Sequence, residues 1–75
     1  MAYPTLLITG TSGRVGGALA ASLRNDYTII GIDVVPGPYT THVTDIQSRE
    51  AARLVGDAHA VIHTAALHAP HVGIP

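Results

Sequence analysis

Hydrophobic positions along the chain change period several times, and each change marks an element. Residues 5–9, Thr-Leu-Leu-Ile-Thr, hold three apolar side chains in a row with nothing polar between them. Such a run predicts a strand covered on both faces, as in a parallel sheet. Gly10 ends it. Over residues 14–24 the period lengthens: Val15, Ala18, Leu19, Ser22 and Leu23 fall at i, i+3, i+4, i+7 and i+8, one stripe of a helix. Asn25-Asp26 supplies the helix exit, because asparagine tolerates the left-handed conformation that often closes a helix. A second β-branched run, Thr28-Ile29-Ile30-Gly31-Ile32, ends at Asp33, and Pro36-Gly37-Pro38 breaks the chain into a loop. Residues 40–43 read as a weak third strand. Asp45 or Ser48 caps a second helix whose Ala51, Leu54 and Val55 make an apolar face, with Gly56 as its stop. Ala60-Val61-Ile62-His63 is a further buried-type strand running into Thr64-Ala65-Ala66, and residues 67–75, with Pro70 and Pro75, show no period.

Strands alternating with helices in this order predict an α/β protein with a doubly wound parallel sheet built from right-handed crossovers. No repeat, low-complexity tract or linker divides the 75 residues, so one small domain is the upper bound. A chain of this length buries only about 60% of the surface its unfolded form exposes. With 47% hydrophobic and 12% charged residues the composition is nevertheless globular, not disordered. A net charge of −1 without a basic run gives no electrostatic footprint for nucleic acid or anionic lipid. The absence of cysteine excludes a disulfide framework and a thiolate metal site, and fits a reducing compartment. Neither a cationic leader nor about 20 consecutive apolar residues is present, so a soluble cytoplasmic protein is expected.

Candidate chemistry concentrates in Thr9-Gly10-Thr11-Ser12-Gly13-Arg14-Val15-Gly16, between a strand and a helix. One glycine permits the tight turn, a second lets the backbone approach a pyrophosphate, and a third lets helix and strand pack closely. Backbone N–H groups at the helix start then face an anion. The Gly-x-x-Gly-x-x-Gly spacing departs from the commoner Gly-x-Gly-x-x-Gly fingerprint, and any tight strand-to-helix turn also favours glycine. Asp33 lies 23 residues beyond Gly10, at the end of the second strand, where a carboxylate can accept from a ribose diol or serve as a solvated turn residue. Its charge opposes a 2′-phosphate and favours NAD over NADP. Arg14 argues the other way, since a guanidinium can accommodate that phosphate. A Walker phosphate loop is excluded because the chain contains no lysine.

In these features the sequence resembles the extended short-chain dehydrogenase/reductases, the NAD-dependent epimerase/dehydratases. The resemblance rests on Thr9-Gly10-x-x-Gly13-x-x-Gly16, Asp33 after strand two, Asp45-Ile46 after strand three and Val61-Ile62-His63-Thr64-Ala65-Ala66 at strand four. It implies a Rossmann-type sheet of strand order 3-2-1-4, truncated after four strands, with residues 1–75 forming the N-terminal NAD-binding part and the C-terminal catalytic part absent. Gly10, Gly13, Arg14 and Val15 would then surround the pyrophosphate, mostly through backbone, with Ser12 and Gly16 in the same cofactor-binding turn, and Asp33 would bind the adenosine ribose. Asp45 would accept from the adenine amino group and the backbone of Ile46 would read a ring nitrogen. Thr64, Ala65 and Ala66 would form the small-residue corner beside the cofactor. Helix capping by Asp45 and core packing by Thr64, Ala65 and Ala66 are the plainer alternatives.

Five histidines raise the question of a metal, with His63, His68 and His71 close in sequence. Pro70 argues against a helix that would bring His68 and His71 onto one face, and neither Cys nor carboxylate lies nearby, so no metal site is expected. The pattern puts His63 in its strand and His42 and His59 at exposed ends, and the resemblance places His68 and His71 where the chain turns toward nicotinamide and substrate. The family's reaction uses Tyr-x-x-x-Lys. Here the three tyrosines are followed four positions later by Leu7, Gly31 and Val43. Two readings stay open: the cofactor-binding portion of an oxidoreductase acting on a hydroxyl or carbonyl substrate such as a nucleotide sugar, or a non-catalytic dinucleotide-binding module or sensor. The outer edge of strand four is a candidate surface for self-association.

Overall fold

The computed structural model describes residues 3–64. Six elements follow one another: β1 (Thr5–Thr9), α1 (Arg14–Leu23), β2 (Thr28–Asp33), β3 (His42–Val43), α2 (Arg49–Asp57) and β4 (Ala60–His63). The four strands form one parallel sheet in the order β3-β2-β1-β4, as expected from the sequence. β1 is central, pairing Leu7 with Ile30 of β2 on one side and with Val61 of β4 on the other. The third strand is shorter than the expected 40–43, because Thr40 and Thr41 are engaged in the loop that precedes it.

Alternation along β1 divides the core between the two sheet faces. Leu6 and Ile8 pack with Ala20 of α1, flanked by Leu19, Leu23, Ile29 and Ile62. Leu7 lies on the other face with Ile32 and with Ala51 of α2. A helix thus covers each face, and no polar side chain is needed in the centre of β1.

Four expectations are corrected. On α1 the buried positions are Gly16 and Ala20, with Leu19 and Leu23 half-buried, while Val15, Ala18 and Ser22 are exposed. The helix turns its smallest residues to the sheet so that it can approach closely, and hydrophobicity alone does not register that. The exit from α1 needs no left-handed asparagine: no non-glycine residue among those described has positive φ, and the turn is closed by Asp26 N–H and Tyr27 N–H donating to the Leu23 carbonyl. β4 is an edge strand rather than a buried one, with Ala60, Val61 and His63 exposed and Ile62 half-buried. It pairs only with β1 among the described residues.

The fourth correction concerns α2. Of the two expected caps it is Ser48 that serves, accepting from Ala51 N–H at 3.0 Å. Gly56 does not stop the helix, which continues to Asp57 and closes at extended Ala58. A Cβ added at Gly56 would meet nothing within 4 Å. Gly56→Ala should therefore stabilise the protein by roughly 0.5–1 kcal/mol, the helix-propensity difference, read as a higher Tm by circular dichroism. Val55, expected on the apolar face, is 38% exposed.

β4 is fastened to β1 partly through a side chain. His59 N–H donates to the Thr5 carbonyl, and Thr5 N–H donates to His59 Nδ1 at 2.9 Å. Accepting at Nδ1 assigns the proton of the neutral ring to Nε2. Among the described residues no helix is long and apolar enough to cross a membrane.

Candidate functional site

At the carboxyl ends of β1, β2 and β3 the structure opens into a cleft of about 390 Å³. One wall is the glycine-rich turn, with Thr9, Gly10, Ser12 and Gly13; the other is Asp33, Val34 and Val35 after β2, with Thr44, Asp45 and Ile46 after β3 and Ile32 at the base. Clefts outside the carboxyl ends of parallel strands are where α/β sheets bind ligands.

Backbone requirements explain the glycines of the turn. Gly10 has φ 81°, the left-handed region, and its N–H donates to the Ile32 carbonyl at 2.7 Å. Gly13 N–H closes the turn on the Gly10 carbonyl, and Gly13 itself occupies the N-cap of α1. A Cβ on Gly16 would lie 2.2 Å from the Gly10 carbonyl oxygen and 2.8 Å from Thr64 Oγ1. The third glycine is therefore a contact between helix and strand.

The N-terminus of α1 differs from that of α2. It has no side-chain cap bond and no acidic residue in its first turn, whereas α2 carries the Ser48 cap and Glu50. The first N–H groups of a helix lack intrahelical partners and attract negative charge. Those of α1 start at the wall of the cleft.

Asp33 forms the opposite pole. Its Oδ2 accepts from Ser12 N–H at 3.0 Å, and Oδ1 accepts from Val34 N–H at 2.7 Å and Val35 N–H at 3.3 Å. The carboxylate thus ties the glycine-rich turn to the loop after β2. Asp45 organises its own turn, Oδ1 accepting from Gln47 N–H at 2.8 Å, and remains exposed at the cleft beside half-buried Ile46.

Of the residues singled out in the sequence, Gly10, Ser12, Gly13, Asp33, Asp45 and Ile46 come together around this cleft. Arg14 and Val15 are exposed at the start of α1 and do not line it. Gly16 and Thr64 stand behind it as buried packing; Thr64 Oγ1 and Thr64 N–H both donate to the Thr9 carbonyl. Ser12 lies on the wall, but its N–H is held by Asp33 and its hydroxyl donates to the Val35 carbonyl at 2.6 Å. Ala65, Ala66, His68 and His71 fall outside the described residues. His63 ends β4, with Nδ1 2.7 Å from Thr9 Oγ1.

Sequence reasoning overlooked Val34 and Val35, which are 64% and 51% exposed and give the cleft an apolar wall. Two valines directly after a strand-terminal acid, followed by Pro-Gly-Pro, are the available signal. Comparison of the chain with protein-family models, with curated proteins and with solved structures gave no match.

Proposed function

We propose that this chain binds NAD by its adenosine and pyrophosphate half, on a Rossmann-type doubly wound sheet, as the N-terminal cofactor-binding part of an oxidoreductase of the extended short-chain dehydrogenase/reductase kind. The observation that carries this reading is the pairing, across one cleft, of an uncapped helix N-terminus behind a glycine turn with a carboxylate at the end of the neighbouring strand. A pyrophosphate suits the first and a ribose diol the second. Oδ2 of Asp33, with one hydrogen bond, retains a lone pair for a hydroxyl donor. Between Val34, Val35 and Ile46 the wall is apolar enough for a planar base, and Asp45 lies at its edge.

When bound, NAD supplies a hydride acceptor or donor at its nicotinamide ring. The residues described here bind and orient: the glycine turn admits the diphosphate, Asp33 selects the unphosphorylated ribose and Asp45 reads the base. The chain has no lysine, so the family's Tyr-x-x-x-Lys pair is not within it. That favours binding without turnover by this chain alone.

Calorimetric titration with NAD should give saturable one-to-one binding, with ADP competing for the same site and no oxidation or reduction of added hydroxyl or carbonyl compounds. Absence of heat at millimolar NAD would overturn the assignment.

A further inference from the structure

The loop joining β2 to β3 contains Pro36, Gly37 and Pro38, yet hydroxyl groups fasten it to the glycine-rich turn. Thr40 Oγ1 lies 2.7 Å from Thr11 Oγ1 and 2.7 Å from Ser12 Oγ. Ser12 Oγ donates in turn to the Val35 carbonyl at 2.6 Å. Each hydroxyl has one proton, and a carbonyl only accepts. The Ser12 proton therefore goes to Val35, Thr40 donates to Ser12, and Thr11 donates to Thr40. All three protons of this one-way chain are committed.

The chain spans the cleft from behind. Ser12 belongs to one wall and Val35 to the other, while Thr40 lines neither. Thr11 is 1% exposed and Thr40 half-buried, so water does not readily replace the two bonds of the Thr40 hydroxyl, whereas the Ser12–Val35 bond is exposed. Gly37 leaves the room required, since a Cβ there would lie 2.6 Å from Ser12 Oγ. The Ser12 hydroxyl and N–H tie the two walls directly, to Val35 and Asp33, and Thr40, donating to Ser12 and accepting from Thr11, adds a further tie from the β2–β3 loop and fixes where the Ser12 hydroxyl points.

We propose that Thr40 is the positioning residue that fixes the width of the nucleotide cleft, acting through Ser12 and Thr11 without touching the ligand. The ligand is the one assigned under the proposed function; the bracing of the walls belongs to the free protein. Valine at position 40 keeps the branched shape and removes the hydroxyl, and serine does the reverse.

The test compares Thr40→Val and Thr40→Ser by amide hydrogen exchange in the free protein and by calorimetric titration with NAD. Thr40→Val is expected to speed exchange of the Ser12, Val34 and Val35 amides several-fold, leave Leu7 and Ile8 at wild-type rates, and weaken NAD about 3–10-fold, since both bonds of the Thr40 hydroxyl are lost but neither touches the ligand. Thr40→Ser should restore both readouts. Unchanged exchange at the three amides, acceleration spread equally over β1, or an NAD affinity that ignores faster exchange would each overturn the proposal. Should Thr40→Val fail to fold, Ser12→Ala removes both the acceptor of the Thr40 hydroxyl and the donor to the Val35 carbonyl at a half-buried position and is judged on the same amides. If the wild type does not bind NAD, the nucleotide assignment fails while local acceleration in Thr40→Val still upholds the bracing of the walls.

Discussion

Gly16→Ala is expected to cost about 3 kcal/mol, equivalent to a Tm lower by roughly 12–24 °C for a domain of this size. The added carbon would sit 2.2 Å from the carbonyl oxygen and 2.6 Å from the carbonyl carbon of Gly10, with Thr64 Oγ1 at 2.8 Å. None of these neighbours yields easily. Gly10 is held at φ 81° by the turn, and the Thr64 hydroxyl is bonded to the Thr9 carbonyl. Helix α1 must therefore lift from β1, opening the Ala20 contact with Leu6 and Ile8 and withdrawing the helix N-terminus from the cleft. A domain of this length has about 4–11 kcal/mol of stability in total, so the loss is a large share. Gly17→Ala is the internal control: its Cβ would meet a single atom, the Thr11 carbonyl oxygen at 3.1 Å, while gaining helix propensity, and it should shift stability by less than about 1 kcal/mol. Thermal unfolding followed by circular dichroism measures both. A Gly16→Ala protein melting with the wild type would mean that the helix is not held this close.

The same contact explains what the sequence could and could not reveal. Uninterrupted apolar runs at β1 and β2 announced buried parallel strands and the alternation of strands with helices the α/β class, while the order β3-β2-β1-β4 came only with the family resemblance. Strand-terminal Asp33 and the turn glycines were legible because each sits at a boundary that a period change marks. The buried face of α1 was legible only at its flank: Leu19 and Leu23 pack half-buried against the core, but exposed Val15 outscores Gly16 and Ala20 on hydrophobicity although the small pair makes the closest approach to the sheet. Nor was the support behind the cleft. Gly31 faces the Tyr39 carbonyl, which an added Cβ would approach to 2.0 Å, and Thr40 meets Thr11 and Ser12 from 29 and 28 residues away. Contacts of that range arise from the path of a loop, which no local period encodes.

Asp33→Arg is expected to reverse the dinucleotide preference from NAD to NADP, and Asp33→Asn to bring the two affinities close together. In the wild type a 2′-phosphate would have to approach a carboxylate already accepting from Ser12, Val34 and Val35 N–H. Two unit charges 4 Å apart repel by about 4 kcal/mol at an effective dielectric of 20. Asp33 is only half-buried, so solvent and salt reduce the penalty to one or two powers of ten in affinity, on the order of 1.4–2.8 kcal/mol. Asparagine removes the charge but sets an amide NH₂ or a single oxygen against N–H donors that both carboxylate oxygens had served. Leaving one of those donors unpaired costs roughly 1–3 kcal/mol, so Asp33→Asn should also melt earlier than the wild type. Arginine adds attraction for the phosphate but accepts no hydrogen bond, so the Ser12, Val34 and Val35 N–H groups all lose their acceptor, more than asparagine loses. Affinity and stability thus move independently across the series: the NAD-to-NADP ratio follows charge, whereas Tm follows the number of amides left unpaired. Titrating each variant with both dinucleotides and recording its unfolding separates the two. A constant ratio accompanied by falling Tm would leave Asp33 as the tie between two loops and remove it from recognition of the ribose.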